Sequence, residues 1–258
     1  MTDLRHAFVT GAGSGIGRAV ALRLAAAGYA VALAGRRSGP LEVVADEICA
    51  AGGVAAPFAN FDVTDPARIA AGLAAANERF GDLAVLVNCA GAAPSAPFEK
   101  TDLTFWEQVL RLNLTGAFLV TRAGLPSIKR AGMGRIVNVA STAGLTGYAY
   151  VSAYCAAKHG VVGLTRALAL ELARSDVTVN AVCPGFTETP LLEAAIESIR
   201  EKTGRSEDEA RTSLARSNPQ GRFVTAEEVA HTVLWLVSPE AVSITGQAIA
   251  VAGGEVMR

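Results

Sequence analysis

The sequence carries almost no net charge, because 23 basic and 24 acidic residues leave a formal charge of -1 over 258 residues. A protein that binds nucleic acid through a broad basic field is therefore not expected. Charged residues make up only 18% of the chain and hydrophobic residues 51%, which excludes a disordered polypeptide. A chain of this length can instead bury the core of one α/β domain.

Long apolar runs and clustered cysteines are also missing. No segment approaches the roughly 20 uncharged apolar residues that span a bilayer, and the N-terminus lacks the apolar segment of a signal peptide. The four cysteines form no C-x-x-C pair and have no histidine at ligand spacing; they are Cys49, Cys89, Cys155 and Cys183. This scatter indicates four small buried residues in a reduced compartment, not disulfides or a zinc site. We expect a cytoplasmic protein, without a metal or a membrane partner, that folds as one domain over residues 1–258.

Apolar runs of strand length alternate with alanine- and leucine-rich segments of helical periodicity. Strands are predicted at residues 5–10, 29–35, 55–61, 83–88, 134–140, 177–182 and 246–251. Helices are predicted at residues 15–27, 40–51, 66–80, 103–131, 152–175 and 226–237. The strands show little polar alternation, so both of their faces should be covered. The sequence therefore predicts an α/β single-domain Rossmann fold, with a doubly wound seven-stranded parallel sheet and helices on both faces.

A glycine-rich turn follows the first predicted strand. It has the spacing G-x-x-x-G-x-G, and its candidate cofactor-binding residues are Gly11, Ser14, Gly15, Ile16 and Gly17. Glycines at such a turn let the backbone approach a pyrophosphate at the N-terminus of the following helix. The strand–turn–helix context therefore predicts a dinucleotide site.

Arg36 and Arg37 stand after the second predicted strand, where an NAD-selective site would place an acidic residue for the ribose hydroxyls. A guanidinium group there can pair with a 2′-phosphate, which favours NADP(H) as the cofactor and leaves NAD(H) open. The alternative is a surface arginine pair at a strand end.

The next two strand ends carry further candidates for the cofactor site. Asp62 and Val63 follow the third strand, where a carboxylate can accept a hydrogen bond from an adenine amino group. Asn88, Ala90 and Gly91 end the fourth strand with mostly small residues, which suits close packing against a cofactor.

Tyr154 and Lys158 are spaced i and i+4, so they share one face of a predicted helix. A tyrosine has a pKa of about 10 in water, and a neighbouring ammonium group and an oxidised nicotinamide should both lower that pKa. Ser141, at the end of the preceding strand, can hydrogen-bond a carbonyl or alkoxide oxygen. Asn113 can hold a water that links Lys158 to solvent.

Taken in order, these motifs resemble the short-chain dehydrogenase/reductase family in its form of about 250 residues, across essentially the whole chain. The resemblance implies a catalytic group of Ser141, Tyr154 and Lys158 assisted by Asn113, and a contact between Lys158 and the nicotinamide ribose. It also implies that the backbone after the sixth strand borders the nicotinamide carboxamide; the residues there are Pro184, Gly185, Thr187 and Thr189. Cys89 departs from the family pattern, which commonly has a second asparagine there.

Residues 134–141 and 177–186 look most like ketoacyl reductases of the fatty-acid and aromatic-polyketide types. The expected substrate is a small-molecule ketone or secondary alcohol, free or carried on acyl carrier protein or coenzyme A, and the expected assembly is a homotetramer through helices 103–131 and 152–175. One alternative is an NAD-dependent secondary-alcohol or hydroxyacyl-CoA dehydrogenase, and another is a dinucleotide-sensing regulatory protein without turnover.

A long charged segment at about residues 186–222 interrupts the alternation of strands and helices. It follows the C-terminal end of a parallel strand, where ligands bind in such folds, so it is predicted to be a substrate lid. Leu191, Leu192 and Ile196 fall at helical spacing and should form its inward apolar face. The alternative is a fixed pair of surface helices.

Overall fold

Seven parallel strands form one sheet in the order β3-β2-β1-β4-β5-β6-β7 in the computed structural model, which describes residues 4–257. Residues 1–3 and 258 of the predicted domain lie outside the described residues. The strands are β1 (His6–Thr10), β2 (Ala30–Ala34), β3 (Val54–Phe58), β4 (Leu83–Asn88), β5 (Gly134–Val139), β6 (Val177–Pro184) and β7 (Ala248–Val251). The helices are α1 (Gly15–Ala26), α2 (Ser38–Ala50), α3 (Pro66–Phe80), α4 (Leu103–Leu110), α5 (Gly116–Arg130), α6 (Ser152–Glu171), α7 (Pro190–Thr203), α8 (Glu207–Ala215) and α9 (Ala226–Val237).

Apolar cores cover both faces of the sheet, which confirms the predicted doubly wound architecture. One core joins α1, α2 and α9 to the sheet through side chains such as Val20, Leu41 and Val229. The other joins α3 and α5 through Ile69, Leu73 and Ile128. Because β1 lies between β2 and β4, the order of the strands reverses there, and the carboxyl ends of β1 and β4 open the crevice in which such folds bind ligands.

Two helix starts follow directly from the sequence. The carboxylate of Asp65 accepts hydrogen bonds from the backbone N–H groups of Ala67 and Arg68 and caps α3. Thr225 and Glu228 form a capping box at the start of α9. These caps pair N–H groups that a helix end otherwise leaves open.

The predicted continuous helix over residues 103–131 is wrong, because a π-helical turn at Arg111–Thr115 separates α4 from α5. The Asn113 side-chain amide donates to the Val109 carbonyl at 3.0 Å. That carbonyl would otherwise accept the backbone N–H of Asn113 in an α-helix, so the side chain competes with the regular ladder. Two strands also end at other residues than predicted. The strand β3 ends at Phe58 and not at residue 61, and β6 continues to Pro184 and not only to residue 182.

The charged segment folds into α7 and α8, which pack on each other around Leu192, Ile196 and Ala210. The expectation for Leu191 was wrong, since this side chain is 45% exposed. None of the helices in residues 4–257 combines the length and the hydropathy of a membrane-spanning helix.

Candidate active site

The glycine-rich turn connects β1 to α1 and lies against the end of β4. Gly11 has φ +69°, and a Cβ built on it would lie 3.1 Å from the Ala90 Cα. A Cβ on Gly17 would collide with the Gly11 carbonyl oxygen. Gly15 has φ +51°, and a Cβ there would lie 3.1 Å from the Thr189 Cγ2. The turn therefore needs glycine for its backbone conformation and for its close packing.

The N-terminus of α1 is left open to a ligand. The Ser14 side chain makes no capping hydrogen bond, and the first turn of α1 has no acidic residue. Ile16, in this turn, is half-buried. Unpaired N–H groups and the positive end of the helix dipole suit an anionic group such as a pyrophosphate. These residues fit a dinucleotide cofactor.

Thr10 fastens the ends of β1 and β4 together, and the sequence reasoning missed this role. Its Oγ1 accepts hydrogen bonds from the backbone N–H groups of Cys89 at 3.0 Å and Ala90 at 3.1 Å. The signal available in the sequence was a threonine directly before the first glycine of the turn.

The cysteines only partly follow the expectation. Burial raises the pKa of the Cys89 thiol to about 12, so the thiol stays protonated. Cys49 is exposed, contrary to the expectation of four buried cysteines.

Arg36 and Arg37 are both exposed after β2, as a contact with a 2′-phosphate requires. Asp62 follows β3, and its Oδ1 accepts hydrogen bonds from the Thr64 backbone N–H and Oγ1, both at 2.8 Å. These bonds, with smaller contributions from the charges of Arg36 and Arg68, hold the pKa of Asp62 below its usual value. The structure thus brings Asp62 and Arg36 to one end of the crevice.

Val63 and Gly116 set how closely the end of β3 approaches α5. Val63 is buried, and a Cβ built on Gly116 would lie 2.8 Å from the Val63 Cγ2. Val63 therefore positions the loop after β3 from inside the core.

Asn88 directs its side chain into the interior, away from the crevice. Its Nδ2 donates to the Thr121 Oγ1 at 2.8 Å and to the Asn138 Oδ1 at 2.9 Å. The Asn138 Nδ2 donates in turn to the Thr165 Oγ1 at 2.9 Å. This buried chain of hydrogen bonds joins β4 and β5 to α5 and α6. Because the Asn88 side chain is used in it, Asn88 can contact a cofactor only through its backbone.

Lys158 and Tyr154 lie side by side on α6, as their spacing predicts. The Lys158 Nζ donates to the Val139 carbonyl at 2.8 Å and lies 5.5 Å from the centroid of the Tyr154 ring. Burial lowers the pKa of Lys158 to about 8. Ser141 caps the short turn after β5, where its Oγ accepts the Ala143 N–H at 3.1 Å.

The expected lowering of the pKa of Tyr154 is not found in the protein without cofactor. Desolvation raises that pKa to about 12, and a hydrogen bond with Ser141 opposes the rise only in part. The Lys158 ammonium lies beside the phenol ring and is bound to the Val139 carbonyl, so it does not offset the desolvation. Tyr154 is therefore a neutral phenol at pH 7 and can donate a proton.

Asn113, in the π-helical turn, holds the loop after β4. Its Nδ2 donates to the Ala92 carbonyl at 2.9 Å, and its Oδ1 accepts the Ala92 N–H at 3.2 Å. Since the Nδ2 also donates to Val109, both of its hydrogens are used and neither is free for the expected water. A Cβ on Gly91 would lie 2.7 Å from the Asn113 Oδ1 and 3.8 Å from the Lys158 Nζ, so Gly91 brings the loop against both residues.

Pro184 ends β6, and the loop behind it is held by its own threonines. The Thr187 Oγ1 donates to the Gly185 carbonyl at 2.9 Å, and the Thr189 Oγ1 donates to the Thr187 carbonyl at 3.1 Å. Together with the Gly15–Thr189 contact, this loop lies beside the glycine-rich turn. The residues expected around a nicotinamide therefore meet the residues expected around the phosphates.

A polar cluster beside the reaction centre joins Tyr148, Thr142 and Glu255, and the sequence reasoning missed Glu255. The Tyr148 hydroxyl donates to the Glu255 Oε1 at 2.5 Å and lies 2.8 Å from the Thr142 Oγ1. Burial, and then the hydrogen bond to Glu255, raise the pKa of Tyr148 well above its usual value. The ring of Tyr148 meets Phe186 edge-on at 6.3 Å. No local pattern marks Glu255, since it is 107 residues from Tyr148 in sequence.

Comparison with known proteins finds dehydrogenases and reductases that are similar to this chain over nearly its whole length. A family model described as short chain dehydrogenase matches residues 5–200. The chain is 43% identical to granaticin polyketide synthase putative ketoacyl reductase 1 of Streptomyces violaceoruber, over 96% of this chain and 92% of the relative. It is 37% identical to D-beta-hydroxybutyrate dehydrogenase of Rhizobium meliloti, over 97% and 98% of the two chains. A crystal structure of a tryptophan variant of actinorhodin polyketide ketoreductase with NADPH is similar with a TM-score of 0.94 and 41% identity, over 99% of this chain and 98% of that chain.

Proposed function

This chain belongs to the short-chain dehydrogenase family, and on that basis we propose that it is an NADP(H)-dependent ketoreductase that interconverts a ketone and a secondary alcohol. The observation that carries the proposal is the convergence of Ser141, Tyr154 and Lys158 beside an open helix N-terminus that suits a dinucleotide. The relatives named as a ketoacyl reductase and a polyketide ketoreductase support a 3-oxoacyl or polyketide-type substrate. We propose that this substrate is carried on acyl carrier protein or coenzyme A.

The side chains divide the proposed chemistry among them. When bound, the nicotinamide cofactor supplies or takes up the hydride. Ser141 hydrogen-bonds the substrate oxygen, and Tyr154 donates the proton that this oxygen needs on reduction. With a pKa of about 12, Tyr154 keeps its proton at pH 7, which favours its role as an acid. The proton returns to the phenol from the side of Lys158, whose pKa of about 8 permits exchange near neutral pH.

Arg36 and Arg37 support NADP(H) over NAD(H), because each exposed guanidinium group can pair with a 2′-phosphate. The rival function is oxidation of a secondary alcohol with NAD, and the relative named D-beta-hydroxybutyrate dehydrogenase supports the alcohol oxidation. The two functions share the same reaction centre. They differ in the cofactor and in the substrate carried to it.

The proposal is tested by ketone reduction with NADPH and with NADH, in the wild type and in Tyr154→Phe. We expect Tyr154→Phe to lower turnover by about 10²–10⁴, the range for general acid–base catalysis, with cofactor affinity retained. Tyr29→Phe is the matched control, since the Tyr29 hydroxyl is also buried and bonds the Val237 carbonyl, away from the site. Turnover of Tyr154→Phe at the wild-type rate would refute the assigned mechanism.

A further inference from the structure

A carboxylate without a neighbouring cation lies beside the loops that follow β5 and β6. Glu255 follows β7, and its Oε1 accepts the Tyr148 hydroxyl at 2.5 Å. Its Oε2 is buried and receives no hydrogen bond. Among residues 4–257, the ion pairs within 4.0 Å involve other acids, such as the Arg222–Glu228 pair, and none involves Glu255.

Two contacts place this carboxylate between the ends of β5 and β6. The Tyr148 hydroxyl that it accepts lies 2.8 Å from the Thr142 Oγ1, and Thr142 directly follows Ser141. The Glu255 Oε2 lies 2.8 Å from the point where a Cβ on Gly185 would stand. The negative charge is thus held beside both segments that flank the reacting carbonyl.

The surroundings do not screen this charge well. The Tyr148 ring is half-buried and meets the edge of Phe186, and the loop from Pro184 to Phe186 presents backbone and apolar atoms. Two like charges several ångströms apart repel much more strongly in such a site than in water. A substrate carboxylate brought close to Ser141 would therefore be disfavoured.

We propose that Glu255 determines substrate specificity by excluding ketones with a free carboxylate two bonds from the reacting carbonyl carbon. This inference rests on the proposed ketoreductase function and narrows its substrate class to uncharged 3-oxo compounds, such as thioesters, esters and amides. A free 3-oxo acid carries its carboxylate two bonds from the ketone carbon, whereas the ester of the same acid has no charge there. Discrimination would come from repulsion of the wrong substrate.

The test compares kcat/KM for acetoacetate and for ethyl acetoacetate, with NADPH, in the wild type and in Glu255→Gln. Glutamine removes the charge and keeps an oxygen that can accept the Tyr148 hydroxyl. We expect the wild type to favour the ester strongly. In Glu255→Gln, kcat/KM for acetoacetate relative to the ester should rise by about tenfold or more, with the value for the ester changed by less than about threefold.

Three further variants keep the test decisive. Glu255→Ser removes the same charge with a different side chain and should shift the ratio in the same direction, should Glu255→Gln fold poorly. Glu171→Gln on α6 and Glu42→Gln on α2 each remove an exposed charge, so both should keep the wild-type preference.

The outcomes separate the two levels of the proposal. If the ester is reduced and its ratio to acetoacetate is unchanged in both charge-removing variants, the specificity role of Glu255 is refuted and the ketoreductase function stands. If the wild type reduces neither compound nor any 3-oxo thioester, the proposed function is wrong, and the inference falls with it.

Discussion

Tyr154 and Lys158 lie one helical turn apart on α6, and burial moves their pKa values in opposite directions, to about 12 and about 8. Both shifts favour the uncharged form of the side chain, as desolvation does. The phenol therefore keeps a proton to donate, while the amine can lose and regain one near neutral pH. Burial of the Lys158 ammonium group therefore lowers folding stability at pH 7, whereas Tyr154 is neutral in both the folded and the unfolded chain at this pH.

The stability of the folded protein should depend on pH through Lys158. Its pKa falls from 10.5 in the unfolded chain to about 8 in the folded one, so burial of the ammonium destabilises the fold fully below pH 8. That cost disappears as pH rises from 8 through 10.5. We expect wild type to gain about 2–3 kcal/mol relative to Lys158→Met between pH 7 and pH 10.5.

Denaturant unfolding of the two proteins at both pH values measures this gain, and the other titrating groups cancel in the difference. A difference in unfolding free energy that stays constant with pH would show that the ammonium is well solvated in the folded protein.

Cofactor choice should depend on Arg36 and Arg37. Replacing both with serine should weaken NADPH binding about tenfold or more and leave NADH nearly unchanged, because charge-assisted hydrogen bonds contribute roughly 1.5–3 kcal/mol. Titration of both cofactors by fluorescence measures the two affinities. Arg174→Ser, which changes an exposed arginine in the loop between α6 and β6, is the control. Equal losses for NADPH and NADH would make the pair structural.

At the scale of elements, the sequence predicted the strands and most helices because their apolar periodicity is strong and local. The π-helical turn was missed because the apolar periodicity of residues 103–131 is helical on both sides of Asn113. One irregular turn changes a pattern read over such a long segment too little to be noticed. Thr10 was missed as a residue that joins two strands, because its partners are 79 and 80 residues away in sequence. Glu255 was missed for the same reason, because only the folded sheet brings this residue into contact with Tyr148.

The pair α7 and α8 remains a proposed lid over the substrate site. One contact already crosses the cleft, since the Lys202 Nζ lies 3.4 Å from the carbonyl and the Oγ of Ser95. We expect amides at residues 189–217 to exchange hydrogen faster than those of β5 in the free protein, and to slow when cofactor and a substrate analogue bind together. Lys202→Met should speed exchange in α7, while Lys129→Met on α5 should not.

Hydrogen exchange followed by mass spectrometry gives these rates by segment. If residues 189–217 are as protected in the free protein as Gly134–Val139, α7 and α8 are fixed surface helices and no lid exists.

At the scale of the whole molecule, α5 and α6 leave apolar side chains uncovered. Val109 and Leu172, which lie in the two segments expected at a subunit interface, are buried within their own chain. Phe118 on α5 is 42% exposed, and Leu170 on α6 is 80% exposed. We propose that these helices form the interface of a homotetramer. Sedimentation at micromolar concentration should give four times the mass of the chain, and Phe118→Asp with Leu170→Asp should lower it.

Val242→Asp, a change of an apolar residue that is 60% exposed elsewhere, is the control for a general loss of solubility. A wild-type mass equal to that of one chain would disprove the tetramer.

The π-helical turn at Arg111–Thr115 determines which changes in the amino-acid sequence this part of the protein can accept. A π-helical turn holds about one residue more than an α-helical turn, and one residue corresponds to a rotation of about 100° along a helix. The turn therefore lets α4 face α6 while α5 faces β4. Deleting one residue between Arg111 and Thr115 would restore a regular helix but rotate Phe118 and the rest of α5 away from their present directions. A substitution of Asn113 would act mainly on the site, whereas a deletion would disturb the site, the core and the proposed interface together.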